Sequence, residues 1–174
     1  MLTDRLKSYI NDYPDFPKKG IIFKDISPIL SEPELFSELI KSMSERDIYH
    51  KCEAIVAIDS RGFIFGSAIA NKIKKPLILA RKKNKLPGEL IQQDYGLEYG
   101  KDSLSIQISA IANYNNFVII DDLLATGGTA KCVCDLLTSQ DKAITGLNVV
   151  IELTALKGRN NLNCEVFSEL LLDW

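Results

Sequence analysis

Four short apolar runs, with helical segments between them, constrain the fold of this chain more than any other feature. Ala54-Ile55-Val56-Ala57-Ile58 has no polar member, the pattern of a strand buried on both faces. Leu77-Ile78-Leu79-Ala80 after Pro76, Phe117-Val118-Ile119-Ile120, and Leu147 to Leu153 read in the same way. Residues 62–73 form a predicted helix, with Phe65, Ile69 and Ile73 four apart on one stripe. A second helix is predicted from Gly128 to Ser139. Strands alternating with helices, with no tight hairpins between the apolar runs, imply right-handed βαβ crossovers and an α/β fold with a mainly parallel twisted sheet flanked by helices. With 174 residues, 46% of them hydrophobic and 25% charged, the chain suits a single domain over 1–174. A chain of this size can bury its core without structural metals or disulfides.

Two stretches depart from the alternation. Ser31-Glu32-Pro33-Glu34 reads as a capping box with an early proline, opening a helix over 31–46 that carries Leu35, Leu39 and Met43 on one face. Residues 81–100 are polar, contain Gly88, Gly96 and Gly100, and read as a long irregular insertion of the kind that forms active-site lids. Ligands of open α/β sheets bind beyond the carboxyl ends of the strands. Those ends carry Asp59-Ser60-Arg61-Gly62, Arg81-Lys82-Lys83 and Asp121-Asp122, so hydroxyls, cations and carboxylates share one rim.

The strongest motif is Val118-Ile119-Ile120-Asp121-Asp122-Leu123-Leu124-Ala125-Thr126-Gly127-Gly128-Thr129. A strand runs into two carboxylates, then a loop of small residues, then a helix start. Unpaired N–H groups and the positive end of the helix dipole suit a phosphate there. Gly127 and Gly128 allow close approach of the backbone, and Thr126 and Thr129 add hydroxyls. Paired carboxylates before such a cradle suit sugar hydroxyls. The loop lacks the lysine of an ATPase P-loop. One aspartate alone would read as well as a helix cap beside a glycine turn; the twelve residues together do not.

This motif resembles the phosphoribosyl pyrophosphate signature of type I phosphoribosyltransferases. Phe16-Pro17-Lys18-Lys19-Gly20-Ile21-Ile22-Phe23-Lys24-Asp25-Ile26-Ser27-Pro28 is similar to the adenine-recognition segment of the adenine phosphoribosyltransferases, and Asp59-Ser60-Arg61-Gly62-Phe63 to their pyrophosphate loop. Leu97-Glu98-Tyr99-Gly100-Lys101 resembles their catalytic flexible loop, and Glu152-Leu153-Thr154-Ala155-Leu156-Lys157-Gly158-Arg159 their C-terminal pattern. The resemblance runs from about residue 13 to 160. It implies the type I fold with a small N-terminal hood, about residues 1–34, and a flexible loop, about residues 82–101. The implied reaction is transfer of a phosphoribosyl group from phosphoribosyl pyrophosphate to adenine, giving AMP and pyrophosphate.

The resemblance also implies residue roles. Adenine would be recognised by backbone around Ile22 and Lys24, with Phe23 and Leu123 packing on the ring; by pattern alone Phe23 reads equally well as a core aromatic. Lys24 stands where the family usually has arginine, so a backbone contact survives but a guanidinium fork does not. Pyrophosphate falls to Ser60, Arg61, Gly62, Arg81, Lys85 and Tyr99, and the family's non-proline cis peptide to Asp59–Ser60. Lys82 and Lys83 read as solvated. Ribose falls to Asp121 and Asp122, and the 5′-phosphate to Ala125, Thr126, Gly127, Gly128 and Thr129. Glu98, by pattern an ordinary surface glutamate, becomes the catalytic carboxyl that exchanges a proton with the purine. Mg2+ is implied as the cofactor, carried mainly by the substrate, with Asp121 as the candidate protein neighbour. The family is commonly homodimeric, which puts Arg61 and Phe63 near a subunit boundary.

The remaining features exclude other classes. A net charge of −2 argues against a nucleic-acid partner. No stretch suits a membrane span, and Met1 to Ile10 lacks the apolar run of a secretion signal, so a cytoplasmic protein is expected. Cys52, Cys132, Cys134 and Cys164 have neither zinc-ribbon nor C-x-x-C spacing and read as reduced thiols, with Cys132 and Cys134 on different helix faces. His50 reads as a solvated loop or helix-end residue. Two alternatives stay open: the same reaction with another base such as hypoxanthine, xanthine or orotate, and a non-catalytic module that senses phosphoribosyl pyrophosphate. A regulatory module of that kind usually carries a DNA-binding unit, for which 174 residues leave no room.

Overall fold

The computed structural model describes residues 1–97 and 100–173. Along the chain, α1 (Leu2–Ser8) leads to β1 (Asn11–Pro14) and β2 (Ile22–Asp25), then to α2 (Ser27–Leu30) and α3 (Pro33–Ser44). The α/β core follows as β3 (Ala54–Ile58), α4 (Gly62–Ile73), β4 (Leu77–Lys82), β5 (Leu90–Leu97), β6 (Gly100–Gln107), α5 (Ile108–Ile111), β7 (Asn116–Leu124), α6 (Gly128–Thr138), β8 (Ala143–Leu153) and β9 (Val166–Leu172). The main sheet has the order β5-β6-β4-β3-β7-β8-β9, and β1 and β2 form a separate antiparallel pair. Strands β4, β3, β7, β8 and β9 are parallel, so the mainly parallel sheet expected from the apolar runs is present.

The side-chain alternation of the central strands explains the layers. Ile55 of β3 and Val118 and Ile120 of β7 point into one core with Leu39 and Met43 of α3 and Phe65 and Ile69 of α4. Val56, Ile58, Phe117 and Ile119 point to the opposite face, where Val133, Leu136 and Leu137 of α6 cover them. Strands with two buried faces must be apolar throughout, which is why β3 was legible.

Two expectations are corrected. The 81–100 stretch is not irregular: residues 83–89 are turn and loop, and beyond them β5 and β6 form an antiparallel hairpin. The hairpin joins the sheet through β6 against β4, which makes that edge antiparallel. Its strands have one solvated face, so their polar residues masked them. At α3 there is no capping box: Glu32 is the N-cap, without a side-chain cap, and the Ser31 hydroxyl donates to the Ser27 carbonyl at 3.3 Å. Pro33 does occupy the first turn.

Cys132 and Cys134 do lie on one helix, the first buried and the second half-buried, and all four cysteines are free. Sequence spacing missed that Cys134 and Cys164 lie beside each other. His50 is exposed at the end of a short 3-10 turn, 3.7 Å from Asp47.

Candidate active site

The carboxyl ends of β4, β3 and β7 lie side by side, as the rim argument requires. A cavity of about 480 Å3 opens beside the end of β7, walled by β2, β7 and the start of α6. Asp121 and Asp122 lie within β7, which runs on to Leu124, rather than after the strand. The chain then turns through Ala125, Thr126 and Gly127 into α6. Gly127 has φ +85°, a conformation that L side chains rarely adopt, and a Cβ there would lie 2.5 Å from the Gly158 carbonyl oxygen. Among the described residues no side chain caps α6. Its first N–H groups therefore remain available for an anion, and Gly128, Thr129 and Ala130 line the cavity.

The two carboxylates differ in surroundings. Asp122 is buried, and its Oδ2 lies 2.7 Å from Arg61 Nη2. That contact is an ion pair without hydrogen-bond alignment, so Oδ2 has no hydrogen-bond partner among the described residues. Burial pushes the Asp121 carboxyl well above the usual carboxylate range, and the adjacent Asp122 charge adds to the shift, while Arg61 opposes it.

The base side is built by β2. Among the described residues β2 pairs with β1 alone, and its other edge has no strand partner there. On that side the Lys24 carbonyl accepts a hydrogen bond from Arg61 Nη1 at 3.4 Å. Phe23 is half-buried, lines the cavity and meets Phe16 edge-on at 5.3 Å between centroids. It belongs to neither core, which decides against the core-aromatic reading. The Arg61 guanidinium stands 4.9 Å over its ring. Lys24 is buried and sends its ammonium to Asp12, 2.7 Å away, so the residue that replaces the usual arginine is neutralised locally. Ile22 and Leu123 complete this wall.

Strand β5 crosses the turn from β7 into α6. The Tyr95 phenol, pushed up to about 12 by burial, lies beside Thr129. Gly96 lines the cavity as well. Neither was found from sequence, because a hairpin folded across a helix start leaves no local pattern.

The phosphoribosyl transferase domain family matches residues 27–168 of this chain. An adenine phosphoribosyltransferase of Prochlorococcus marinus is 59% identical over 170 residues, covering 98% of this chain and 99% of that one. The chain belongs to the adenine phosphoribosyltransferase family. The adenine phosphoribosyltransferase structure of Rhodothermus marinus superposes with a TM-score of 0.91 at 38% identity, covering 98% of each chain. That of Saccharomyces cerevisiae, complexed with an imino-altritol bisphosphate and adenine, gives 0.89 at 38% identity, covering 96% of this chain and 97% of that one.

Of the residues the family resemblance assigned to pyrophosphate, Arg61 lines the cavity, whereas Ser60, Gly62, Arg81 and Lys85 lie outside its wall. Ser60 follows the cis peptide Asp59–Ser60, where the family pattern put it, and Gly62 opens α4 against Asp121. Arg81 Nε lies 3.3 Å from Asp59 Oδ2, and its guanidinium stands 5.7 Å over the Phe63 ring. Lys85 is exposed and offers its carbonyl to Arg81. Lys82, read as solvated, is half-exposed and paired with Asp102 at 3.2 Å. Glu98 and Tyr99 lie outside the described residues, between β5 and β6.

Proposed function

We infer that the chain transfers the phosphoribosyl group of 5-phosphoribosyl 1-pyrophosphate to adenine, giving AMP and pyrophosphate. The observation that carries this reading is one cavity bordered by an uncapped helix start, a carboxylate pair and an aromatic on an unpaired strand edge. These supply an anion holder, a partner for sugar hydroxyls and a platform for a flat base.

In this reading the backbone and hydroxyls of Ala125 to Thr129 hold the 5′-phosphate, and Asp121 and Asp122 take the ribose hydroxyls. Adenine lies against Phe23 and Leu123, with the backbone of Ile22 and Lys24 reading its edge. Arg61, with Ser60 and Gly62, receives pyrophosphate, and Arg81, Lys85 and Tyr99 approach it from the rim. The purine nitrogen bonds to the anomeric carbon as the bond from that carbon to pyrophosphate breaks, and Glu98 takes the proton that the nitrogen loses. Closure of the 82–101 segment excludes water during this step.

A magnesium ion would draw most of its ligands from the substrate and water, with Asp121 at the cavity wall as its protein neighbour. When bound, the ion would neutralise charge on the leaving pyrophosphate. We read residues 1–174 as one catalytic domain with residues 1–34 as its hood, and as half of a homodimer. Exposed Ile64, next to Phe63 on α4, and exposed Leu77 at the start of β4, beside Gly66 of α4, support a partner on that side. Among the described residues no helix is long and apolar enough to cross a membrane, and we place the enzyme in the cytoplasm.

The test is product analysis with adenine, phosphoribosyl pyrophosphate and magnesium. Equal amounts of AMP and pyrophosphate are expected; binding of the pyrophosphate substrate without product would favour the sensing module.

A further inference from the structure

Within the C-terminal motif from Glu152 to Arg159, Leu153 and Leu156 line the cavity, whereas its polar members stand apart from it. Glu152, Gly158, Arg159 and Asn161 do not line the cavity, yet all sit behind its phosphate loop. Glu152 is the penultimate residue of β8 and pairs in register with Leu124, the last residue of β7 before the loop. Its buried carboxylate accepts a hydrogen bond from Arg159 Nε at 2.6 Å, a second from Arg159 Nη2, and one from the Ser168 hydroxyl of β9 at 2.7 Å. This fork fixes the 3-10 turns at Thr154–Leu156 and Gly158–Asn161.

The turns press on the loop at two points. Gly127 and Gly158 touch backbone to backbone: a Cβ on Gly127 would lie 2.5 Å from Gly158 O, and one on Gly158 would lie 2.1 Å from Ala125 O. Beside this contact, Asn161 Nδ2 donates to the Thr126 carbonyl at 2.8 Å. Asn161 is exposed, so its amide makes this bond without belonging to the core.

We propose that residues 152–161 brace the phosphate loop, with Glu152, Arg159 and Asn161 as positioning residues that hold the backbone of 125–129 in its anion-binding geometry. The Arg159–Glu152 fork anchors the brace to β8 and β9, the glycine pair sets its distance, and Asn161 fixes the carbonyl between the two loop hydroxyls. This rests on the reading of 125–129 as the holder of the 5′-phosphate.

The experiment compares AMP with adenosine, which differs by that phosphate alone, in calorimetric titrations of the parent enzyme, Asn161→Ala and Arg159→Lys, with melting temperatures recorded alongside. One lost hydrogen bond predicts that Asn161→Ala binds AMP about fivefold more weakly while adenosine affinity stays at the parent value. The KM for phosphoribosyl pyrophosphate should rise by the same factor and that for adenine should not. Arg159→Lys, which keeps the charge but loses the fork, should shift the same ratio. An AMP-to-adenosine ratio unchanged in both variants overturns the brace, as does an equal loss of both ligands. A parent enzyme that does not prefer AMP over adenosine would overturn the phosphate-loop reading, and the brace with it.

Discussion

Arg61 Nη2 lies 2.7 Å from Asp122 Oδ2, joining the loop after β3 to the carboxylate of β7. The same guanidinium covers the Phe23 ring and binds the Lys24 carbonyl, so one cation touches the proposed ribose and adenine subsites together. An incoming pyrophosphate would compete with Asp122 for this group.

Arg61→Lys keeps the charge and loses the planar fork and the stacking. The expected result is a rise of about tenfold or more in the KM for phosphoribosyl pyrophosphate, with a smaller rise for adenine. Steady-state kinetics with each substrate varied in turn checks this. An unchanged KM for phosphoribosyl pyrophosphate would remove Arg61 from its proposed role.

Asp121 supports a prediction with opposite signs for stability and binding. Its carboxyl is raised by burial and by Asp122, so the folded state holds a proton that the unfolded chain releases. Stability therefore falls as pH rises through the unfolded value near 3.8 and continues to fall until the folded group ionises. Asp121→Asn removes this cost, so its melting temperature should exceed the parent's at pH 7 and match it at pH 3. The same change replaces a carboxyl oxygen proposed to meet the ribose hydroxyls with an amide nitrogen and should weaken phosphoribosyl pyrophosphate binding about tenfold. Unchanged affinity would end the ribose role, and a melting temperature below the parent's at pH 7 would contradict the burial argument.

The interior of the sheet was legible because burial on both faces leaves no place for polar residues in β3. Strand β9 was missed because it carries Ser168 and Glu169, and these are accommodated only by partners distant in sequence. Ser168 donates to Glu152, and Glu169 accepts from Arg46 at 2.7 Å and from Ser42 at 2.7 Å. Asn148 is fully buried in an apolar strand for the same reason, donating to the Met43 carbonyl and the Tyr49 hydroxyl. The 125–127 turn could be read locally, since a strand, a small-residue turn and a helix start are contiguous in sequence. The Lys24–Asp12 pair and the contact of Tyr95 with Thr129 join segments 12 and 34 residues apart, and no periodicity marks such meetings.

Glu98→Gln keeps size and polarity but cannot accept a proton as a carboxylate. Turnover should fall by about 100-fold or more, the scale of general acid–base catalysis, with little change in phosphoribosyl pyrophosphate affinity. Single-turnover kinetics and equilibrium binding separate the two. Normal turnover in this variant would return Glu98 to an ordinary surface residue.

Base selection tests the account most directly. Product formation from phosphoribosyl pyrophosphate and magnesium should be measured with adenine, hypoxanthine, guanine and orotate in parallel at equal enzyme concentration. The account predicts AMP from adenine and little product from the other three, because the proposed backbone contacts of Ile22 and Lys24 would read the amino-bearing edge of adenine. Comparable turnover with hypoxanthine or orotate would leave the fold and the phosphate loop standing and contradict the adenine assignment of residues 16–28.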